Sequence, residues 1–348
     1  MCTSFRVTAT DGAVVVGRTM EFPNAMATKL TVLSRAYRGT GIGKHGSGMK
    51  WTSAYGVVGM DAFGQPGTMT DAMNERGLYA GLLYMPGFCE YTPVEDRDPA
   101  SLMSIVDTVA YVLGVSATVE EATAAMSRAT VWPYIFGPFG FAPPAHLVLH
   151  DASGKSAVIE WRKGEMTVFD NPIGVACNWP HLDWHLTNLR NYINLSDRNP
   201  AAITIDGVEL GAMGQGPGMN GLPGDSSSPS RFVRAAAFVA SLRPVATGKE
   251  MEKTALHMLN NFDIPLGFIR DNDDPAQRRP HALVVYRQPG PAALHRPYLR
   301  QPGPAAHRTW PRGLFSPRPP RNRAASQRVH TAGRLAVPDG MVSKEASE

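Results

Sequence analysis

Cysteine is scarce in this chain. Cys2, Cys89 and Cys177 are the only three in 348 residues. They are odd in number and without CxxC or Cys/His spacing, which argues against a disulfide framework or a zinc site. His45, His181, His185 and His257 fall in no HxH or HExxH grouping and read as satisfied or exposed side chains. No metal is expected. No run of 18 apolar residues occurs, and no basic stretch leads into an apolar one at the start. Neither a membrane span nor a signal peptide is read, and the cytoplasm is the expected compartment.

Lysine and acidic residues are missing from 275–338, where twelve arginines stand. That segment carries +12 against +4 for the whole chain, which leaves −8 for the rest. The basic pI therefore belongs to the tail, and a nucleic-acid partner is not expected for the acidic main body. With 43% hydrophobic and 18% charged residues the composition is that of a soluble globular protein, long enough for one large domain or two.

Cys2 stands directly behind the initiator methionine. Once Met1 is removed, one residue carries both a thiol and a free α-amine. An α-amine titrates near 7.7–8.0, against about 10.4 for lysine, so part of it is neutral near pH 7 and can take the thiol proton. No partner histidine is then required. Phe5 and Val7, then Val14 and Val16, alternate with their neighbours around Asp11-Gly12. This predicts a hairpin that buries the N-terminus and returns Arg18 and Glu21 beside Cys2.

Further on, the pattern predicts strands at 29–36, 50–60 and 78–84. Asp98-Pro99 opens a helix running to Leu113 and stopping at Gly114, and Thr118-Val119-Glu120-Glu121 opens a second with a capping box. Strands return over 146–170, and amphipathic helices follow at 184–195, 229–242 and 249–262. Strands, helices, then strands is an α+β order. Gly216-Pro217-Gly218-Met219-Asn220-Gly221 satisfies GxGxxG, but Leu222-Pro223-Gly224-Asp225 follows where a phosphate site needs a helix, so it reads as a loop.

Four stretches together resemble the choloylglycine hydrolase family of bile salt hydrolases and penicillin V acylases. They are Met1-Cys2-Thr3 with its hairpin and Gly17-Arg18-Thr19-Met20-Glu21, the stretch 71–84 from Asp71 to Tyr84, the stretch 171–180 around Cys177-Asn178-Trp179-Pro180, and 221–232 ending Ser230-Arg231-Phe232. The resemblance implies a four-layer αββα sandwich of the N-terminal nucleophile hydrolases over 2–275, acting on linear amides through Cys2. It places the Asn178 amide and the Leu83 backbone N–H on the oxyanion and Arg231 in the pocket. Arg18 and Glu21 set the charge, Glu21 standing where the family usually has an aspartate that holds the α-amine. No cofactor and often a homotetramer are implied. A leader cut just before the cysteine occurs in related acylases, which would move the protein to the periplasm or outside the cell. Conjugated bile salts, penicillin V and acyl-homoserine lactones stay open as substrates, leucine at 83 weakening the first. Met20, Phe22, Met60, Phe63, Leu83, Tyr84 and Phe139 could line an apolar pocket, and each is equally a core candidate.

Past Phe262-Asp263-Ile264-Pro265-Leu266-Gly267 the resemblance ends. Arg287-Gln288-Pro289-Gly290-Pro291-Ala292-Ala293 recurs from Arg300 to Ala306, and ten prolines lie within 280–320. Such a segment leaves little room for sheet hydrogen bonds, and 276–348 reads as a disordered tail. A change of reading frame near Ala276 would account for it. The rival readings are a basic arm for RNA or an anionic surface, or a non-catalytic family member acting as a scaffold without its last strands.

Overall fold

A computed structural model describes residues 1–21, 28–95, 97–265 and 268–269, with the backbone of two further strands at 281–287 and 298–300. Phe22 and most of the tail, including nearly all of the tandem repeat, lie outside the described residues.

The N-terminal hairpin forms as its alternation predicts. Strands β1 (Cys2–Thr8) and β2 (Val14–Glu21) pair antiparallel with Cys2 opposite Met20, Phe5 opposite Gly17 and Thr8 opposite Val14. Gly12 supplies the positive φ of 83° that the turn needs. Gly17 has a different reason: the Phe5 ring lies across it, and a Cβ there would fall 2.5 Å from a ring carbon.

The chain continues through β3 (Leu30–Leu33), β4 (Arg38–Gly43), β5 (Gly46–Thr52), β6 (Val57–Ala62), β7 (Gln65–Asn74), β8 (Tyr79–Tyr84) and β9 (Leu102–Met103). Helices α1 (Thr108–Val115) and α2 (Val119–Met126) precede β10 (Thr130–Val131), β11 (Ala145–His150), β12 (Ser156–Arg162), β13 (Glu165–Asp170) and β14 (Val175–Ala176). Then come α3 (Leu182–Asn188), β15 (Ile203–Ile205), β16 (Val208–Leu210), α4 (Ser228–Ala240), α5 (Gly248–Asn260), β17 (His281–Arg287) and β18 (Tyr298–Arg300).

Two large sheets result, ordered β14-β1-β2-β17-β18 and β13-β12-β11-β8-β7-β6-β3, beside the two-stranded pairs β9-β10, β4-β5 and β15-β16. Period-2 alternation sends each strand's residues to opposite faces. Ala72, Ala80, Leu147 and Ile159 go outward to Val109 and Val112 of α1 and Ala122 of α2. On the other sheet Phe5, Val7 and Val15 go outward to Phe232 and Ala235 of α4 and Met251 and Leu259 of α5. Between the sheets Val16 meets Met73 and Tyr79, and Ser4 Oγ lies 3.4 Å from His150 Nε2. This is the expected four-layer αββα sandwich.

Two expectations need correcting. The helix read from Asp98 to Leu113 is broken: Asp98 caps only a single 3₁₀ turn, after which Leu102 and Met103 extend and pair with β10. Ser104 and Asp107 then form a capping box, and α1 begins at Thr108. The pairing of β9 with β10 outcompetes helix propagation there. In the tail, His281–Arg287 finds room for sheet hydrogen bonds after all, running antiparallel to β2 with Val285 opposite Gly17. The heptapeptide is itself free of proline and carries Val284, Val285 and Tyr286, residue types that favour a sheet. The backbone of Tyr298–Arg300 pairs antiparallel with it in turn.

Asp107 carries a pH dependence. Its Oδ2 accepts the Ile42 and Ser104 N–H groups at 2.9 and 2.8 Å, yet burial pushes its carboxyl up to about 6. A carboxyl that holds its proton more tightly folded than unfolded contributes most below its unfolded value. Stability is therefore expected to fall as pH rises from about 4 to about 6, by on the order of 2 kcal/mol. Urea unfolding across that window checks it, with Asp107→Asn expected to flatten the slope.

Candidate active site

Cys2 opens β1 and is buried between the two sheets, with its Sγ 3.6 Å from Arg18 Nη2. The other two thiols sit differently. Burial pushes both Cys89 and Cys177 up to about 11, and the Cys89 Sγ turns to the Ala145 carbonyl at 3.5 Å. Both are held as neutral thiols.

Arg18 is buried as well, and burial alone would disfavour its charge. The Asp71 carboxylate, in direct ion pair with Nη1, together with Cys2 and Tyr79 outweighs that penalty and raises the guanidinium pKa. Nη1 also donates to the Thr70 carbonyl at 3.2 Å, and Nη2 to the Leu82 carbonyl. These acceptors are free because β7 and β8 stop pairing beyond Asp71 and Gly81, and the guanidinium fills the gap.

On the other side, Asn178 joins three elements. Its Oδ1 accepts the Cys2 N–H at 2.6 Å and Arg231 Nη2 at 2.7 Å, while its Nδ2 donates to the Tyr84 carbonyl at 2.7 Å. The amide orientation is set by its neighbours, since two donors face the oxygen and a carbonyl faces the nitrogen. Arg231, on the first turns of α4, donates to the Cys2 carbonyl, to Thr3 Oγ1 at 2.7 Å and to the Ser226 carbonyl at 3.0 Å. It grips the backbone around the nucleophile, and it is Arg18 that reaches the sulfur. Glu21 lies at the far end of β2, where Met1 N donates to its carbonyl and stands 4.0 Å from its carboxylate.

The sheet register bears on the expected part for the Leu83 N–H. Antiparallel neighbours alternate between pairs that exchange N–H···O=C bonds and pairs that do not. The Met85 N–H donates to Pro144 O at 2.7 Å, so two residues back Leu83 and His146 are an exchanging pair, and the Leu83 N–H is engaged within the sheet. Tyr84 and Ala145 fall between. The Ala145 N–H accordingly turns away to Tyr91 Oη at 2.8 Å, and the Tyr84 carbonyl to Asn178. In an extended strand a residue's N–H and C=O point the same way, so the Tyr84 N–H faces the edge on which Asn178 and Cys2 lie.

Of the apolar candidates, Met20 and Leu83 share a buried cluster with Cys2. Met60 is buried on β6, its carbonyl accepting the Thr70 hydroxyl. Phe63 and Phe139 meet edge to face at 5.2 Å and pack against the outer cluster beneath α1 and α2. Asp71, Thr3 and the Thr70 and Leu82 carbonyls were missed in the sequence. Among the described residues no group of three or more His, Cys, Asp or Glu is placed to hold a metal ion. Nor is any described helix long and apolar enough to cross a membrane.

A family model described as linear amide C–N hydrolases, choloylglycine hydrolase family, matches residues 2–280. A bile salt hydrolase/transferase of Clostridium perfringens is 30% identical over 275 residues, 78% of this chain and 81% of that protein. A solved structure of a mutant conjugated bile acid hydrolase from the same organism aligns with a TM-score of 0.72 at 26% identity, covering 87% of this chain and 92% of that one. Penicillin V acylase from Agrobacterium tumefaciens aligns at 0.64 and 25% identity, covering 86% of each chain.

Proposed function

The chain belongs to the choloylglycine hydrolase family of linear amide C–N hydrolases, and on that premise we propose that Cys2, freed of Met1, is the nucleophile. Removal of Met1 converts the Cys2 N–H into an α-amine beside Asn178 Oδ1. The amine takes the thiol proton, and the thiolate attacks the carbonyl of a linear amide. Charge then develops on the carbonyl oxygen, where the second hydrogen of Asn178 Nδ2 acts as a donor. The tetrahedral adduct collapses, the protonated α-amine gives its proton to the leaving amine, and a thioester remains. Water, deprotonated by the same amine, releases the acid and restores the thiol. Arg18 supplies a fixed positive charge at the sulfur, Arg231 fixes the backbone, and Glu21 holds the α-ammonium form.

The 3.6 Å approach of Arg18 to the Cys2 sulfur carries this reading. Apolar Met20 and Leu83 beside Cys2 suit a bulky apolar acyl group, as in conjugated bile salts, penicillin V or acyl-homoserine lactones. Intact-mass measurement with assays for release of glycine, taurine, phenoxyacetate and homoserine lactone tests it. Protein that has shed Met1 yet cleaves none of these amides would sink it.

A homotetramer is part of the same proposal. The β15–β16 hairpin holds Ile203, Ile205, Val208 and Leu210 about half exposed, an apolar patch a soluble monomer rarely keeps open. Ile203→Glu with Val208→Glu is expected to lower the molar mass seen by light scattering toward that of a single chain. An unchanged mass would remove the hairpin from the interface.

A further inference from the structure

Outside the residues given roles above, a dense group of buried titratable side chains lies on β11, β12 and the start of α3. Glu160, on β12, is fully buried. Its Oε2 lies 2.6 Å from His181 Nδ1 and accepts from Arg162 Nη2 at 2.9 Å. Its Oε1 accepts the Leu182 N–H at 2.9 Å and faces His146 Nδ1 at 3.7 Å. Arg162 continues to Asp183 through two bonds of 2.9 Å. Burial by itself would push the Glu160 carboxyl up, but His146, the Leu182 N–H and Arg162 outweigh it and hold it down at about 2. An ionised carboxylate only accepts, so the His181 Nδ1 carries the proton between them.

We propose that Glu160 is a positioning residue for the Asn178 oxyanion donor, through its hold on 181–182. The inference rests on the reading of Asn178 as that donor. His181 and Leu182 follow Asn178 by three and four residues, and His181, at the N-cap of α3, makes no capping bond of its own there. Glu160 instead takes the first N–H of the helix and fixes where the 178–182 turn lands. One buried anion therefore fixes the turn that carries Asn178 and its bond to the Tyr84 carbonyl. Without it, the Leu182 N–H and the His181 proton lose their acceptor in the interior, and the turn must move to find water or another partner. Displacing a donor by about 1 Å is enough to lower a rate on the order of 10²-fold.

The experiment compares wild type with Glu160→Gln, in the full chain after loss of Met1. It follows kcat and KM for whichever amide the wild type cleaves, and the rate at which iodoacetamide alkylates Cys2, located by peptide mass. A fall in kcat of roughly 10- to 100-fold, with KM within about twofold and alkylation unchanged, is expected, because alkylation builds no oxyanion. An unchanged kcat in the folded protein, whatever its melting temperature, overturns the proposal. So does an equal loss of turnover and alkylation, which would mean a general disturbance at Cys2. Should Glu160→Gln fail to fold, His181→Ala removes the 2.6 Å arm alone and must lower kcat the same way by a smaller factor; no change again overturns the proposal. A wild type that alkylates at Cys2 yet cleaves no amide instead ends the hydrolase reading, and this inference with it.

Discussion

Cys2→Ala is expected to reduce amide release to background, a loss in kcat of about 10⁴- to 10⁶-fold, the range seen when a covalent nucleophile is removed. The fold should survive. Arg18 keeps the Thr70 and Leu82 carbonyls and Asp71 when the sulfur goes, and a small buried side chain is exchanged for a slightly smaller one. Unfolding by heat, followed by calorimetry, is therefore expected to shift by only a few degrees. Turnover within tenfold of wild type, in protein shown by mass to carry the substitution, would transfer the chemistry away from this residue.

Asn178→Ala is expected to have the next largest effect. It removes one donor from the oxyanion, worth on the order of 10²- to 10³-fold in kcat. It also strips an acceptor from the Cys2 N–H and from Arg231, both buried. Leaving such groups unsatisfied lowers stability by about 1–3 kcal/mol. Asn178→Asp separates the two roles, because a carboxylate keeps the oxygen and loses the amide hydrogens. It keeps the acceptor for the Cys2 N–H and Arg231, loses the bond to the Tyr84 carbonyl, and should lose turnover by a similar factor. Full activity in Asn178→Asp would show that the oxygen alone matters. Steady-state kinetics and denaturant melts on the two variants check both halves.

Local chemistry made much of this molecule legible. The Asp11-Gly12 turn between alternating strands gave the hairpin and, through it, Arg18 and Glu21 near the nucleophile. The Thr118 cap was readable too: its Oγ1 accepts the Glu121 N–H at 3.2 Å, though the Glu121 carboxylate reaches back to the Ala117 N–H and not to Thr118 itself. What could not be read depended on partners distant in the chain. Whether the N–H of Leu83 is engaged within the sheet follows from the register of β8 against β11, some sixty residues on. Shifting attention by one residue reverses the direction of every backbone group. Asp71 is similarly silent alone, and acquires its part only when β2 brings a guanidinium to it across the gap between the sheets. The strand at 281–287 was hidden by prolines that flank it and do not interrupt it.

The anchoring of Arg18 has a consequence for the reaction as a whole. Three of its attachments, to the Thr70 carbonyl, Asp71 and the Leu82 carbonyl, belong to the seven-stranded sheet and do not involve the sulfur. The cation therefore stays put whether that sulfur is a thiol, a thiolate or an acyl thioester. Both halves of the catalytic cycle would run in one rigid electrostatic frame, with nothing to rebuild between them.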